Sequence, residues 1–159
     1  MTGRPTERDE WLAILYRRHR GSVHGFLYAL VGDRDTADRL TEETFLEAYR
    51  NVNSVGAELN PSAWLYRLAY RRAASLEPRW GRKRERQPIT GEEAPAVVAS
   101  LVALAQLPLP ERAALVLRER EGLSYEELSE IFGTSLGSIQ ARLLKARQLF
   151  RKAREQART

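Results

Sequence analysis

Between Leu123 and Arg147 the chain reads LSYEELSEIFGTSLGSIQARLLKAR, and no other stretch narrows its fold as far. Ser124 followed by Glu127 forms a capping box that opens a short helix, whose Leu128, Ile131 and Phe132 recur at helical spacing. Gly133 supplies the backbone freedom to end it. A second helix starts after Ser135. Its Ile139, Leu143, Ala146 and Phe150 fall on one stripe, so Ser138, Gln140, Ala141, Leu144 and Lys145 face away from the core. Such a pair is either a plain helical hairpin or the device that lays a helix in the major groove of DNA. The capping box, the glycine turn and the basic continuation Lys145, Arg147, Arg151, Lys152 and Arg154 favour the second.

The rest of the chain is compatible with a small all-α protein. Its 159 residues are 43% hydrophobic, enough for one domain or two small ones. A net charge of +5 suits a polyanionic partner, although it also serves solubility alone. With no cysteine, neither a disulfide framework nor a thiolate metal site is available. His19 and His24 are the sole imidazoles, and both are expected to be packed helix residues rather than ligands, so no metal and no cofactor is expected. The polar start of the chain has no signal-peptide core, and no run approaches the roughly 20 apolar residues of a membrane span. A cytoplasmic location is expected.

Taken in order, Leu12, Leu15, His19, Val23, Phe26 and Leu30 mark one face of a long helix from Trp11 to Leu30, which Gly32 ends. A second helix, from about Asp35 to Asn51, buries Ala37, Leu40, Thr44 and Ala48. Phe45 and Tyr49 lie on the flank of that stripe beside Asp38 and Glu42, and Leu46 points almost directly away. Exposed apolar groups among carboxylates mark either a docking surface or a face covered by a third helix. Asn51 to Leu59 has turn composition. Asn60 caps the next helix, Pro61 takes its first position, and Leu65, Leu68, Ala69 and Leu76 face inward. On its other side Trp64, Arg67, Tyr70 and Arg71 interleave rings and guanidinium groups, as a surface for unpaired bases would. A solvated arginine face over a core tryptophan is the simpler reading of that helix taken alone.

Pro78 is expected to end it, and the proline-, glycine- and charge-rich run to Pro95 reads as a flexible linker. The organisation expected is therefore two small helical domains, residues 10–78 and 96–155, joined by a linker over 79–95. The second is a four-helix unit. VVASLVALAQL after Ala96 is apolar enough for a buried helix, and Arg112 to Glu121 forms the next, with Ala113, Leu115, Val116 and Leu117 in its core and Gly122 ending it.

In this order and spacing the features resemble the extracytoplasmic-function RNA polymerase sigma factors. The matches are LYRRHRGSVHGFLYALVGDRDTADRLTEETFLEAYR in the first half and LPERAALVLREREGLSYEELSEIFGTSLGSIQARLLKAR in the second. The resemblance implies a factor that binds core RNA polymerase, directs it to specific promoters and assists their melting. It assigns Asp38, Glu42, Phe45, Leu46 and Tyr49 to polymerase docking. Asn53, Ser54 and Val55 in the loop would capture a flipped base of the minus-ten element, and Trp64, Arg67, Tyr70 and Arg71 would hold the melted strand. Arg118, Gln140, Ala141, Leu144 and Lys145, with Ser138 on the same outward face, would meet the minus-thirty-five duplex. An anti-sigma factor is a further implied partner.

The chain departs from the family pattern at Arg39, Glu42, Val55, Tyr70 and Arg71, and at Gln140, Ala141 and Leu144. In the reading helix Ala141 and Leu144 can offer only apolar contacts such as to a thymine methyl, while Gln140 could pair with adenine. These departures motivate an alternative, a sigma-like regulator that binds DNA or protein without supporting initiation. An enzyme is not expected. The sequence holds no phosphate-cradling glycine loop and no metal-ligand cluster.

Overall fold

The computed structural model describes residues 7–52, 60–83 and 94–157. All the regular structure among them is helical: α1 (Glu7–Val31), α2 (Arg34–Arg50), α3 (Pro61–Lys83), α4 (Pro95–Leu104), α5 (Leu109–Glu119), α6 (Tyr125–Phe132) and α7 (Leu136–Ala157).

The helix boundaries follow local chemistry. Gly32 adopts φ +72° and lets the chain turn at the end of α1. Asp33 then caps α2 by accepting the Thr36 amide at 3.1 Å. Pro61 opens α3, and Asn60 just before it accepts the Ser62 amide at 3.0 Å. Gly122 and Gly133, at φ +69° and +63°, end α5 and α6. The capping box of α6 is complete. Ser124 Oγ accepts the Glu127 amide and Glu127 Oε1 accepts the Ser124 amide, each at 3.1 Å. Ser124→Ala should therefore cost about 1 kcal/mol, seen in chemical denaturation as a lower midpoint at an unchanged slope.

Three expectations differ from what the molecule does. Pro78 does not end α3, which continues to Lys83, because a proline removes one hydrogen bond of the ladder without preventing later ones. Helix α4 is apolar yet only partly covered. Leu101 and Ala103 are buried, whereas Val97 and Val102 are exposed, because α4 packs along one side only. Helix α5 starts at Leu109, earlier than Arg112, with Pro110 in its first turn where a missing N–H is harmless.

The α2 stripe Ala37, Leu40, Thr44 and Ala48 is buried as its spacing requires. Thr41 and Thr44 satisfy their buried hydroxyls by donating to the Ala37 and Leu40 carbonyls at 2.7 Å. The two helical groups, α1–α3 and α4–α7, share one hydrophobic core. It runs from Val23, Phe26, Leu27 and Leu40 through Leu65 and Ala69 to Leu117, Leu128, Ile139 and Leu143. Helix α6 packs on α3, and α5 on α1. A smaller cluster of Leu107, Leu115 and Ala146 closes the far side of the second group.

Candidate nucleic-acid interface

The outward face of α7 comes from its stripe. Ile139, Leu143 and Ala146 are buried against α5 and α6, which turns Ser138, Gln140, Ala141, Leu144 and Lys145 to solvent. Leu144 is 59% exposed, a large apolar group facing solvent. Ser135 Oγ accepts the Ser138 amide at 3.2 Å and fixes the start of the helix. Lys145 Nζ is exposed and lies 3.7 Å from the mostly buried carboxylate of Glu111. Arg147 is held by Glu119 Oε1 through Nε at 3.0 Å and Nη2 at 2.8 Å, and Arg142 lies over the Phe132 ring. Arg118, on α5, is half-buried. It donates to the Leu123 carbonyl at 2.7 Å and stacks 4.8 Å over the Tyr125 ring, so it braces the approach to α6.

A second face lies on α2. Asp38, Glu42, Leu46 and Tyr49 are exposed, Leu46 to 56%. Phe45 is not among them. It is only 6% exposed, under Tyr16 of α1, the rings meeting edge to face at 4.9 Å. The flank position assigned from spacing was covered by a neighbouring helix, so Phe45 supports the patch from below. Tyr16 itself stays partly exposed and extends the apolar surface onto α1. It was missed in the sequence, where its signal was an aromatic off the buried stripe. Arg8 donates to the Tyr49 carbonyl and lies over the Tyr49 ring. Asp38 is held as well, with an oxygen 2.6 Å from His24 Nε2. His19 is half-buried, and burial, with Arg18 beside it, lowers its pKa below the ordinary imidazole value.

The outer side of α3 differs most from the sequence reading. Arg71 is exposed and Arg67 half-exposed, as a phosphate-binding surface requires. Trp64, however, is only 7% exposed and tilts against Trp11 at 6.2 Å. Tyr70 is half-buried and meets Phe132 of α6 edge to face at 4.9 Å. Trp64 thus follows the simpler reading of a core tryptophan, under α1, while Tyr70, placed outward by spacing, is covered by α6. Arg72, on the buried flank, binds Glu47 at 2.9 Å and Glu43 at 3.7 Å, tying α3 to α2. Asn53, Ser54 and Val55 lie outside the described residues. Among the described residues no group of three His, Cys, Asp or Glu could hold a metal, and no helix is long and apolar enough to cross a membrane.

Comparison with known proteins matches the chain to a family. Residues 15–83 match the Sigma-70 region 2 model and residues 101–150 the Sigma-70, region 4 model. The chain is 33% identical to the ECF RNA polymerase sigma factor EcfG of Rhodopseudomonas palustris, over 88% of this chain and 80% of that protein. It is 34% identical to the ECF RNA polymerase sigma factor SigE of Mycolicibacterium smegmatis, over 94% of this chain and 63% of that one. In fold it resembles the sigma factor RpoE of Bartonella quintana, solved with the anti-sigma factor NepR, at TM-score 0.73 and 22% identity over 87% of this chain and 92% of that one. With region 2 over α1–α3, region 4 over the helix-turn-helix group, and a full-length relative at this identity, the chain belongs to the ECF RNA polymerase sigma factors.

Proposed function

We propose that this sigma factor divides promoter recognition among three surfaces. The exposed face of α2, Asp38, Glu42, Leu46 and Tyr49, docks core RNA polymerase, with Phe45 as its buried support. Arg67, Tyr70 and Arg71 on α3 hold the melted minus-ten strand. Ser138, Gln140, Ala141, Leu144 and Lys145 on α7 read the minus-thirty-five duplex, and Arg118 steadies the turn before α6. Residues 10–78 and 96–155 act as the two functional domains. The factor works by binding, in the cytoplasm and without covalent chemistry, and an anti-sigma factor is its natural inhibitor.

The observation that carries this reading is the solvent-facing row on α7, set by the buried Ile139, Leu143 and Ala146 on the opposite side of the helix. A helix anchored by a buried stripe presents its outer side chains in a fixed register, which sequence readout needs. Gln140 has the bidentate chemistry for adenine, and Lys145 is a point charge for phosphate. Gln140→Ala should relax preference among promoter duplexes by roughly 1–3 kcal/mol. Lys145→Ala should weaken all duplexes alike and reduce the salt slope by about one. Fluorescence anisotropy over a salt series, on selected and scrambled duplexes, separates the two. Equal losses on both duplexes for Gln140→Ala would remove it from the reading set.

A further inference from the structure

We propose that α7 reads its promoter element chiefly by packing on thymine C5-methyl groups, Leu136 and Leu144 each covering one methyl and Gln140 bonding an adenine between them. This rests on the assignment of α7 to the minus-thirty-five duplex and adds Leu136 to the residues that read it. Leu136 opens α7 and is 44% exposed, and Leu144, two i, i+4 steps further on, is 59% exposed. Gln140 stands midway along the same row and is exposed as well. Single exposed leucines need no explanation. These two flank the one hydrogen-bonding side chain of their row, on the helix whose first turns enter the groove in a helix-turn-helix.

The charge around the row fixes what covers it. Arg142, Lys145, Arg147, Arg151, Lys152 and Arg154 all precede Glu155, the first carboxylate of α7. An apolar row in that field suits a polyanion that carries apolar groups, and the thymine methyl is the apolar group on the base edges of the major groove. The guanidinium groups nearest the row are engaged elsewhere. Arg142 lies over the Phe132 ring at 5.0 Å, Arg147 is held by Glu119, and Arg118 donates to the Leu123 carbonyl. Bidentate arginine, the commonest reader of guanine, is therefore missing from the outward row. Gly137 and Ala141 keep the surface beside the row low. A Cβ at Gly137 would meet nothing nearer than Ser135 Oγ at 4.0 Å, so base edges can come close to the helix. From Leu136 to Leu144 the helix rises about 12 Å, or three to four base-pair steps of roughly 3.4 Å. The element expected is an adenine with a thymine on each side, the two thymines separated by that span.

Selection by the full chain from duplexes with a randomised core, followed by replacement of each selected thymine with uracil, tests the proposal. Uracil deletes the C5-methyl and leaves every hydrogen-bonding group in place. Each replacement should weaken binding about fourfold, and the two together about fifteenfold, the transfer free energy of one buried methyl-sized group at each site. Leu136→Ala should bind thymine and uracil alike at one position and keep the penalty at the other, and Leu144→Ala should do the reverse. Both leucines are exposed, so circular dichroism should give each variant the melt of the parent. A selected core without the paired thymines, uracil duplexes bound as tightly as their thymine counterparts, or a uracil penalty that survives in both variants would overturn methyl reading. If that happens while Gln140→Ala and Lys145→Ala still weaken binding to the selected core, the assignment of α7 to the duplex stands and only methyl reading fails. If the pool yields no preferred core, the assignment fails and methyl reading fails with it.

Discussion

Leu46→Arg should reduce promoter-dependent transcription by roughly a hundredfold while leaving the fold intact, the size of effect reached by a central anchor of a desolvated interface. Leu46 is exposed and touches no core, so the substitution has little to destabilise in the free factor. Seated on polymerase, the same position would lose an apolar contact and bury an unpaired guanidinium. Phe45→Ala should also impair initiation, through a different cause. It removes the ring under Tyr16 and so lowers thermal stability along with activity. Circular dichroism melts beside co-purification with core polymerase distinguish them: Leu46→Arg should melt like the parent and fail to co-purify.

Leu143→Ala should produce the largest loss of stability among single changes in the DNA-reading group. Leu143 is completely buried, in the core shared with Leu128 and Ile139. Removing it costs about 2–5 kcal/mol, or a fall of roughly 10 °C in Tm for a chain of this size. Since α3 and α6 share that core, the loss should appear as one cooperative transition of the whole chain. A melt with two separated steps would show that the two helical groups fold independently.

Local chemistry made most of the architecture legible in the sequence. Ser124 and Glu127 announced the start of α6 because a capping box is completed within four residues, and Gly32, Gly122 and Gly133 announced turns because their positive φ favours glycine. The buried stripes of α2, α5 and α7 followed from period alone. Periodicity says which side of a helix is apolar, but not how many neighbours that helix has. Phe45, placed on the flank of its stripe, and Tyr70, placed outward, are each covered by a neighbouring helix whose approach depends on long-range packing, and Trp64 took the core position that was the simpler of its two readings. The converse happened at α4, where an apolar sequence exceeds the surface available to cover it. Pairs such as His24 with Asp38 and Arg72 with Glu47 join different helices, and no spacing rule reaches across them.

These same inter-helix contacts give the candidate site its character. The α7 row is exposed as expected, the α2 patch is smaller by Phe45 and larger by Tyr16, and the α3 face offers its arginines but withholds its rings. Of the departures from the usual family residues on α3, Tyr70 falls at the contact between the two helical groups, while Arg71 faces solvent. Tyr70 has a packing role with Phe132 that accounts for a ring at that position independently of DNA.

The most direct measurement is run-off transcription with purified bacterial core RNA polymerase, the full chain and a library of genomic fragments. The account predicts factor-dependent transcripts starting at defined positions, enriched for a shared upstream duplex element, and lost with Leu46→Arg. Stable association with core polymerase without factor-dependent starts on any fragment would contradict it and establish a sigma-like regulator that does not initiate.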